Sequence, residues 1–109
     1  MDFKEYAKQA ASTALYPGKG TVQGLSYCAL GITGEAGEFA NKVKKIIRDD
    51  YQMDRVTEAL ASELGDVLWY LSEAAENIGV TLEEIARLNI AKLADRRTRS
   101  VVQGSGDNR

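Results

Sequence analysis

Histidine is absent from this chain of 109 residues, and cysteine occurs once, at Cys28. Without histidine, the usual zinc ligand sets and the serine or cysteine catalytic triads cannot be assembled. A lone thiol with no histidine to activate it is expected to be a buried structural residue rather than a nucleophile. Any chemistry must therefore rest on carboxylates, Lys, Arg, Tyr, amides and a bound metal ion.

An excess of positive charge is also missing, because 14 basic residues face 16 acidic ones and the net charge is -2. This balance argues against a protein that binds duplex nucleic acid. No run of about 18 apolar residues exists that could span a membrane. The first five residues, Met1 to Glu5, contain no apolar signal region, so a cytoplasmic protein is expected.

Four segments carry helical apolar periodicity and no segment has strand alternation, which predicts one all-α domain. The helices are expected over residues 2–15, 21–47, 54–77 and 81–99, with the only proline, Pro17, in the first loop. Thr21 is a candidate N-cap, Gly79 a left-handed C-cap, and Thr81 with Glu84 a capping box. Lys19 fits a solvated turn better than a phosphate loop, since no strand precedes it.

Two pairs of carboxylates with three-residue spacing dominate the middle of the chain, Glu35 with Glu38 and Glu63 with Asp66. Relative to the most apolar stripe of its helix, the first acid of each pair lies at about 60° and the second at about 120°. Packing the two stripes together would bring all four carboxylates to one rim, where they favour a hard divalent cation. These stripes are Ile32, Ala36, Phe39 and Val43, and Leu60, Leu64, Val67 and Leu71.

Several residues near the two acidic pairs are expected to pack or bind in specific ways. Three glycines in the second helix each cost about 1 kcal/mol of helix propensity, which predicts close approach of a helix or ligand; they are Gly31, Gly34 and Gly37. Lys42 continues the acidic rim. Trp69 is expected roughly opposite that rim, in core or interface packing, with base stacking a lesser alternative. Glu73 and Glu76 are expected to be surface acids.

The fourth helix places three polar residues on one side, Asn89, Lys92 and Arg96. Such a stripe is commonly solvent-facing, but beside an acidic metal site it would suit polyphosphate binding. The tail, residues 100–109, ends in Gly104-Ser-Gly-Asp-Asn-Arg109 and has the composition of a flexible end.

The chain resembles the MazG-like nucleoside triphosphate pyrophosphohydrolases over roughly residues 21–97. The resemblance rests on Glu35-Ala-Gly-Glu38, then Glu63-Leu-Gly-Asp66, then the Asn-x-x-Lys-x-x-x-Arg segment from Asn89 to Arg96. One departure is Gly34, where many members carry a further Glu. The tail is similar to the endings of some short members, which favours its ordering over the nucleotide.

This resemblance implies a four-to-five-helix bundle over residues 1–99, completed by formation of a homodimer or homotetramer. It implies hydrolysis of ribo- or deoxyribonucleoside triphosphates to the monophosphate and pyrophosphate, with Mg²⁺, or Mn²⁺ in its place. The four acids Glu35, Glu38, Glu63 and Asp66 would hold the metal, and Glu38 is the candidate to orient or deprotonate water. The substrate-binding candidates are Lys42, Asn89, Lys92 and Arg96.

Two other classes of protein remain as alternatives. A non-catalytic helical interaction module that forms a homo-oligomer would tolerate loss of Glu35 or Glu63 and would not be stabilised by Mg²⁺. A ferritin-like di-iron protein shares the carboxylates but normally needs Glu-x-x-His pairs, which a chain without histidine cannot supply.

Overall fold

The computed structural model describes all 109 residues and contains four helices and no strand, which confirms the all-α prediction. The helices are α1 (Phe3–Ser12), α2 (Val22–Asp49), α3 (Met53–Ile78) and α4 (Leu82–Thr98). The first helix ends three residues before the predicted Leu15, because the chain turns at Thr13 and directs Ala14 and Tyr16 into the core. No helix is both long enough and apolar enough to cross a membrane.

The ends of the helices follow local signals in the sequence, with one exception. The capping box is formed, since Thr81 Oγ1 accepts from the Glu84 amide and Glu84 Oε2 accepts from the Thr81 amide. Gly79 has a φ of 75° and ends α3 as predicted. Thr21 precedes α2, but its hydroxyl donates to the Gly18 carbonyl and forms no side-chain cap.

The longest helices, α2 and α3, form an antiparallel hairpin because only a few residues, 50–52, connect them. Contacts pair the start of one helix with the end of the other, as in Cys28 with Asn77 and Lys42 with Glu63. Helix α1 packs on α3 and α4, and α4 also contacts α3. No Cα atom of α4 comes within 8 Å of one in α2. The acid-bearing face of α2 therefore has α3 as its helical neighbour.

A buried polar network fixes the loop before α2 to the end of α3. Tyr16 donates from its hydroxyl to Glu73 Oε1 at 2.8 Å, and Asn77 Nδ2 donates to the Tyr16 hydroxyl at 2.8 Å. The amide of Gly20 in turn donates to Asn77 Oδ1 at 2.7 Å. Glu73 is only 1% exposed, so its prediction as a surface acid is wrong, whereas Cys28 is buried as expected. Glu73 is buried because its side of α3 faces α2 and this loop.

Replacing Asn77 with alanine is expected to lower the free energy of unfolding by about 2 kcal/mol, because it removes hydrogen bonds from partly buried groups. The Tyr16 hydroxyl would lose a donor and the Gly20 amide its acceptor. Urea denaturation measures the change. Ser62→Ala is the matched control, since Ser62 lies exposed on the same helix and should shift the free energy by less than about 0.5 kcal/mol. Equal midpoints for both variants would contradict a stabilising role for the network.

The chain leaves much of its apolar surface exposed. Only 10 of the 109 residues are buried, and the accessible surface is 7997 Å². A compact monomer of this mass exposes about 6,000 Å². Leu64 and Leu71 are 51% and 42% exposed, and Ala36 is exposed too, so the prediction that these residues form the core of the helix pair is wrong within one chain. The α2–α3 contact uses a different seam, which carries small and polar residues.

Candidate active site

Three carboxylates converge between α2 and α3, from Glu35, Glu63 and Asp66. Each residue offers one oxygen, and these oxygens lie within 4.8 Å of one another. Glu35 and Glu63 are half-buried and Asp66 is exposed, so the cluster opens to solvent on one side. We call these three residues the acid cluster. It exists because the antiparallel hairpin sets the first acidic pair opposite the second.

The fourth acid of the sequence pattern, Glu38, lies close by but outside this group. Its side chain is exposed, one turn of α2 beyond Glu35. Lys42 lies one further turn along, where its ammonium group contacts Glu63 Oε1 at 2.5 Å. The structure thus brings together three of the four predicted metal-binding residues and sets Lys42 at the edge of the acid cluster.

Partial burial and repulsion by neighbouring carboxylates raise the pKa of one member of the acid cluster, Glu35. Partial burial raises the pKa of Glu35, and the carboxylates of Asp66, Glu63 and Glu38 raise it further. A raised pKa means that the folded chain holds this proton more tightly than the unfolded chain. At a pH above the ordinary glutamate pKa, the ionised Glu35 therefore lowers the free energy of unfolding. A bound divalent cation would offset this destabilisation.

Aromatic rings form the other wall of the same cleft. The cleft has a volume of about 370 Å³ and is lined by Thr13, Glu35, Asp66, Trp69 and Tyr70. Trp69 donates from Nε1 to Thr13 Oγ1 at 2.9 Å, and its ring meets that of Tyr70 edge to face, with centroids 4.9 Å apart. The expectation that Trp69 lies opposite the acids is wrong. Its three-residue spacing from Asp66 already implied a shared helix face.

One of the three glycines of α2 has a clear packing reason. A Cβ atom at Gly31 would overlap the ring of Tyr70, so only glycine allows this ring to lie against α2. At Gly34 and Gly37 an added Cβ would meet no atom of the chain within 4 Å. The predicted close approach is therefore confirmed at Gly31 only. It fixes the position of an aromatic ring in the wall of the cleft.

The predicted substrate-binding residues of α4 lie apart from the acid cluster. Asn89 and Lys92 line a separate cleft of about 280 Å³ with Ile85 and Leu88. Arg96 is 5% exposed. No hydrogen bond or ion pair joins any of the three polar residues to an acid of the cluster. Within one chain, Asn89, Lys92 and Arg96 and the acid cluster thus form two separate sites.

The acid cluster offers carboxylate oxygens, the ligands that hard divalent cations prefer. Mg²⁺ is commonly bound through a small number of carboxylates and keeps waters that contact phosphate oxygens. The open side of the cluster leaves room for such ligands, and the charge on Glu35 has no other compensation. A larger cleft of about 460 Å³ is lined by Met1, Asp2, Phe3, Tyr6 and Leu68, and it offers a single carboxylate. The acid cluster and its cleft are therefore the candidate active site.

Comparisons with known proteins show the family to which the chain belongs. The profile of the MazG nucleotide pyrophosphohydrolase domain matches residues 23–101. The chain is also 48% identical to the Gene 37 protein of Mycobacterium phage L5 over 111 residues, covering 95% of this chain and 96% of that protein. No solved structure matches. The matched range contains all four acids and the polar residues of α4, and the chain belongs to the MazG nucleotide pyrophosphohydrolase family.

Proposed function

We propose that this protein hydrolyses ribo- or deoxyribonucleoside triphosphates of the cytoplasm to the monophosphate and pyrophosphate, in a reaction that depends on Mg²⁺. Family membership supports a hydrolase of the pyrophosphohydrolase type. The observation that carries the specific proposal is the acid cluster, whose oxygens lie within 4.8 Å of one another. Two of its members, Glu35 and Asp66, line the same cleft as Trp69 and Tyr70. One cleft thus offers carboxylates for a metal and aromatic rings for a base.

The residues Glu35, Glu63 and Asp66 are assigned to the metal, with Glu38 as the nearest further carboxylate. MazG-family enzymes generally use divalent metals, and Mn²⁺ fits the same oxygen ligands. When bound, the ion would neutralise the charge that develops on the phosphates. Glu38 is exposed beside Glu35, and we assign it to orienting and deprotonating the attacking water. Water attacks the α-phosphorus, the bond to the bridging α–β oxygen breaks, and pyrophosphate leaves.

The substrate side of the proposal uses aromatic and cationic residues. Trp69 and Tyr70 offer ring surfaces beside the acids, and stacking of a base on such a ring contributes about 1–3 kcal/mol. Lys42, at the edge of the acid cluster, is assigned to the phosphates. Asn89, Lys92 and Arg96 are assigned to the polyphosphate and sugar as a second group, carried by α4.

We further propose that the protein is a homodimer or a homotetramer. Its accessible surface exceeds that of a compact monomer of equal mass by about 2,000 Å². A stable interface buries about 800 Å² per partner, and obligate homodimers bury more. The excess area is therefore sufficient for one or two such interfaces. Exposed leucines on both long helices, Leu30 at 75% and Leu64 at 51%, would supply apolar contacts.

The reaction is tested with a panel of ribo- and deoxyribonucleoside triphosphates, incubated with Mg²⁺, with Mn²⁺ or with EDTA. Pyrophosphate, orthophosphate and the monophosphate are measured separately. We expect equal amounts of pyrophosphate and monophosphate with metal and neither with EDTA. Orthophosphate as the first product would contradict cleavage between the α and β phosphates. No release from any nucleotide, with no change of melting temperature on adding Mg²⁺, would leave a helical interaction module.

A further inference from the structure

The tail, residues 100–109, folds back along the end of α4 as a closed loop. Arg109 closes it by donating to the carbonyls of Val102 at 3.0 Å and Gly106 at 2.6 Å. Arg99, the residue that follows α4, donates to the Arg109 carbonyl at 2.7 Å. Gly104 and Gly106 take positive φ angles, 128° and 82°, which permit the tight path. This path carries Asp107 to the cationic side of α4.

Asp107 contacts two of the cations that the proposed function assigns to the polyphosphate. Its carboxylate oxygen Oδ1 lies 3.5 Å from Lys92 Nζ and 3.5 Å from Arg96 Nη2. Its carbonyl accepts from Arg96 Nη2 at 3.1 Å. Lys92 and Arg96 together lower the pKa of Asp107, so the carboxyl is ionised at neutral pH. The carboxylate of Asp107 is therefore already paired with Lys92 and Arg96, the cations assigned to the phosphates.

The contact satisfies Arg96 poorly. Arg96 is 5% exposed, and its Nε atom is buried with no hydrogen-bond partner. Charge-assisted hydrogen bonds typically measure about 2.7–2.9 Å, so two contacts of 3.5 Å leave much of the available interaction unused. A phosphate group carries more charge and more acceptor oxygens than one carboxylate. It would be a better partner for the same two cations.

We propose that Asp107 is a built-in competitor that occupies the phosphate-binding position on Lys92 and Arg96 until a polyphosphate displaces it. The inference rests on the proposed function, since it takes these residues as binding the phosphates of the substrate. It assigns the tail a regulatory role: the tail weakens binding of short anions and yields to a ligand with several phosphates. Asp107 can leave at little cost, because its side chain is 87% exposed.

The test compares Asp107→Asn with Glu83→Gln. Glu83 is an exposed acid on α4, the helix that carries Lys92 and Arg96, and it is paired with Arg87. The control therefore makes the same change of charge near those two cations without removing a partner of either. Binding of inorganic pyrophosphate is measured by calorimetry in EDTA, and KM is measured with Mg²⁺. Loss of the two ion pairs made by the exposed Asp107 carboxylate predicts about fivefold tighter pyrophosphate binding and a similar fall in KM for Asp107→Asn, with no change for Glu83→Gln.

Each other outcome has a definite meaning. Unchanged or weaker pyrophosphate binding by Asp107→Asn would overturn the inference, and weaker binding would show that Asp107 positions the cations. Tighter pyrophosphate binding in a protein that hydrolyses no nucleotide would uphold the competition while removing the proposed function. Hydrolysis by the unmodified chain with no effect of Asp107→Asn would remove the competition alone.

Discussion

Replacing Asp66 with asparagine is expected to lower metal-dependent release of pyrophosphate by at least about 100-fold, the usual cost of removing one charge-stabilising group from an active site. Asp66 is one of the three carboxylates whose oxygens lie within 4.8 Å of one another. No cation of the chain pairs with it, unlike Glu63, which contacts Lys42. Its negative charge is therefore available to a bound metal ion. An amide of the same shape offers no such charge.

The same substitution should make the metal-free protein more stable, although it lowers activity. Without metal, the Asp66 carboxylate repels Glu35 and contributes to its raised pKa, so Asp66→Asn should raise the melting temperature in EDTA. The further rise on adding Mg²⁺ should shrink, because the metal gains less from two acids than from three. Lower activity combined with higher stability of the metal-free protein is expected of a binding site and not of a structural ion pair.

Glu58→Gln is the matched control for both measurements. Glu58 lies exposed on the same helix and carries the same charge, but it belongs neither to the acid cluster nor to an ion pair. Its replacement should leave both the turnover rate and the Mg²⁺-dependent shift unchanged. If Asp66→Asn kept full activity, or lost activity while the Mg²⁺ shift persisted undiminished, the assignment of Asp66 to the metal would be wrong.

The helices and their ends could be predicted because their signals are local. Apolar periodicity marks all four helices, and Gly79 and Thr81 act on the turns that contain them. The seam between α2 and α3 could not be found by seeking the most apolar stripe. The actual contact repeats at alternating steps of three and four residues through small and polar side chains. It includes Gly24, Cys28, Gly31 and Glu35 on α2, and Glu63, Asp66, Tyr70, Glu73 and Asn77 on α3.

One buried polar residue of this seam, Glu73, has a hydrogen-bond partner from outside the two helices. Tyr16, from the loop before α2, accounts for the burial of Glu73, and no helical periodicity could reveal such a contact over 57 residues of sequence. The pairing of Asp107 with Arg96 likewise depends on the turns of the tail. The grouping of Glu35, Glu63 and Asp66 was foreseeable because three-residue spacing places acids on one helix face in either packing.

The most apolar stripes of α2 and α3 do not form the contact between these helices, which leaves apolar side chains available for an interface with a second copy. Leu64 and Leu71 remain 51% and 42% exposed in the single chain. Helix α4 adds Leu88 and Ile90, which are 70% and 65% exposed. A second copy that covered these surfaces could bring its own α4 against the acid-bearing hairpin. Since α4 and α2 of one chain do not contact each other, we expect Asn89, Lys92 and Arg96 to reach the substrate from that second copy.

Mixed oligomers of two inactive variants are therefore expected to regain activity. Asp66→Asn removes one carboxylate of the acid cluster from one copy, and Lys92→Ala removes a phosphate contact from the other. In a heterodimer purified through two different affinity tags, one site would combine intact acids with an intact Lys92, and the other site would lack both. A symmetric dimer should therefore recover about half of the wild-type rate, since one of two equivalent sites is whole.

A dimer of wild type with Asp66→Asn sets the reference for one working site, because it retains one whole site in either arrangement. If Lys92 served the acids of its own chain, each site of the mixed dimer would lack one group, and the rate would not exceed that of Lys92→Ala alone. Failure of the two tags to purify together would instead contradict the oligomer itself. The measurement thus separates a monomer, a dimer with self-contained sites and a dimer with shared sites. Only the dimer with shared sites explains both why apolar side chains are exposed in the single chain and why the polar residues of α4 lie apart from the acid cluster.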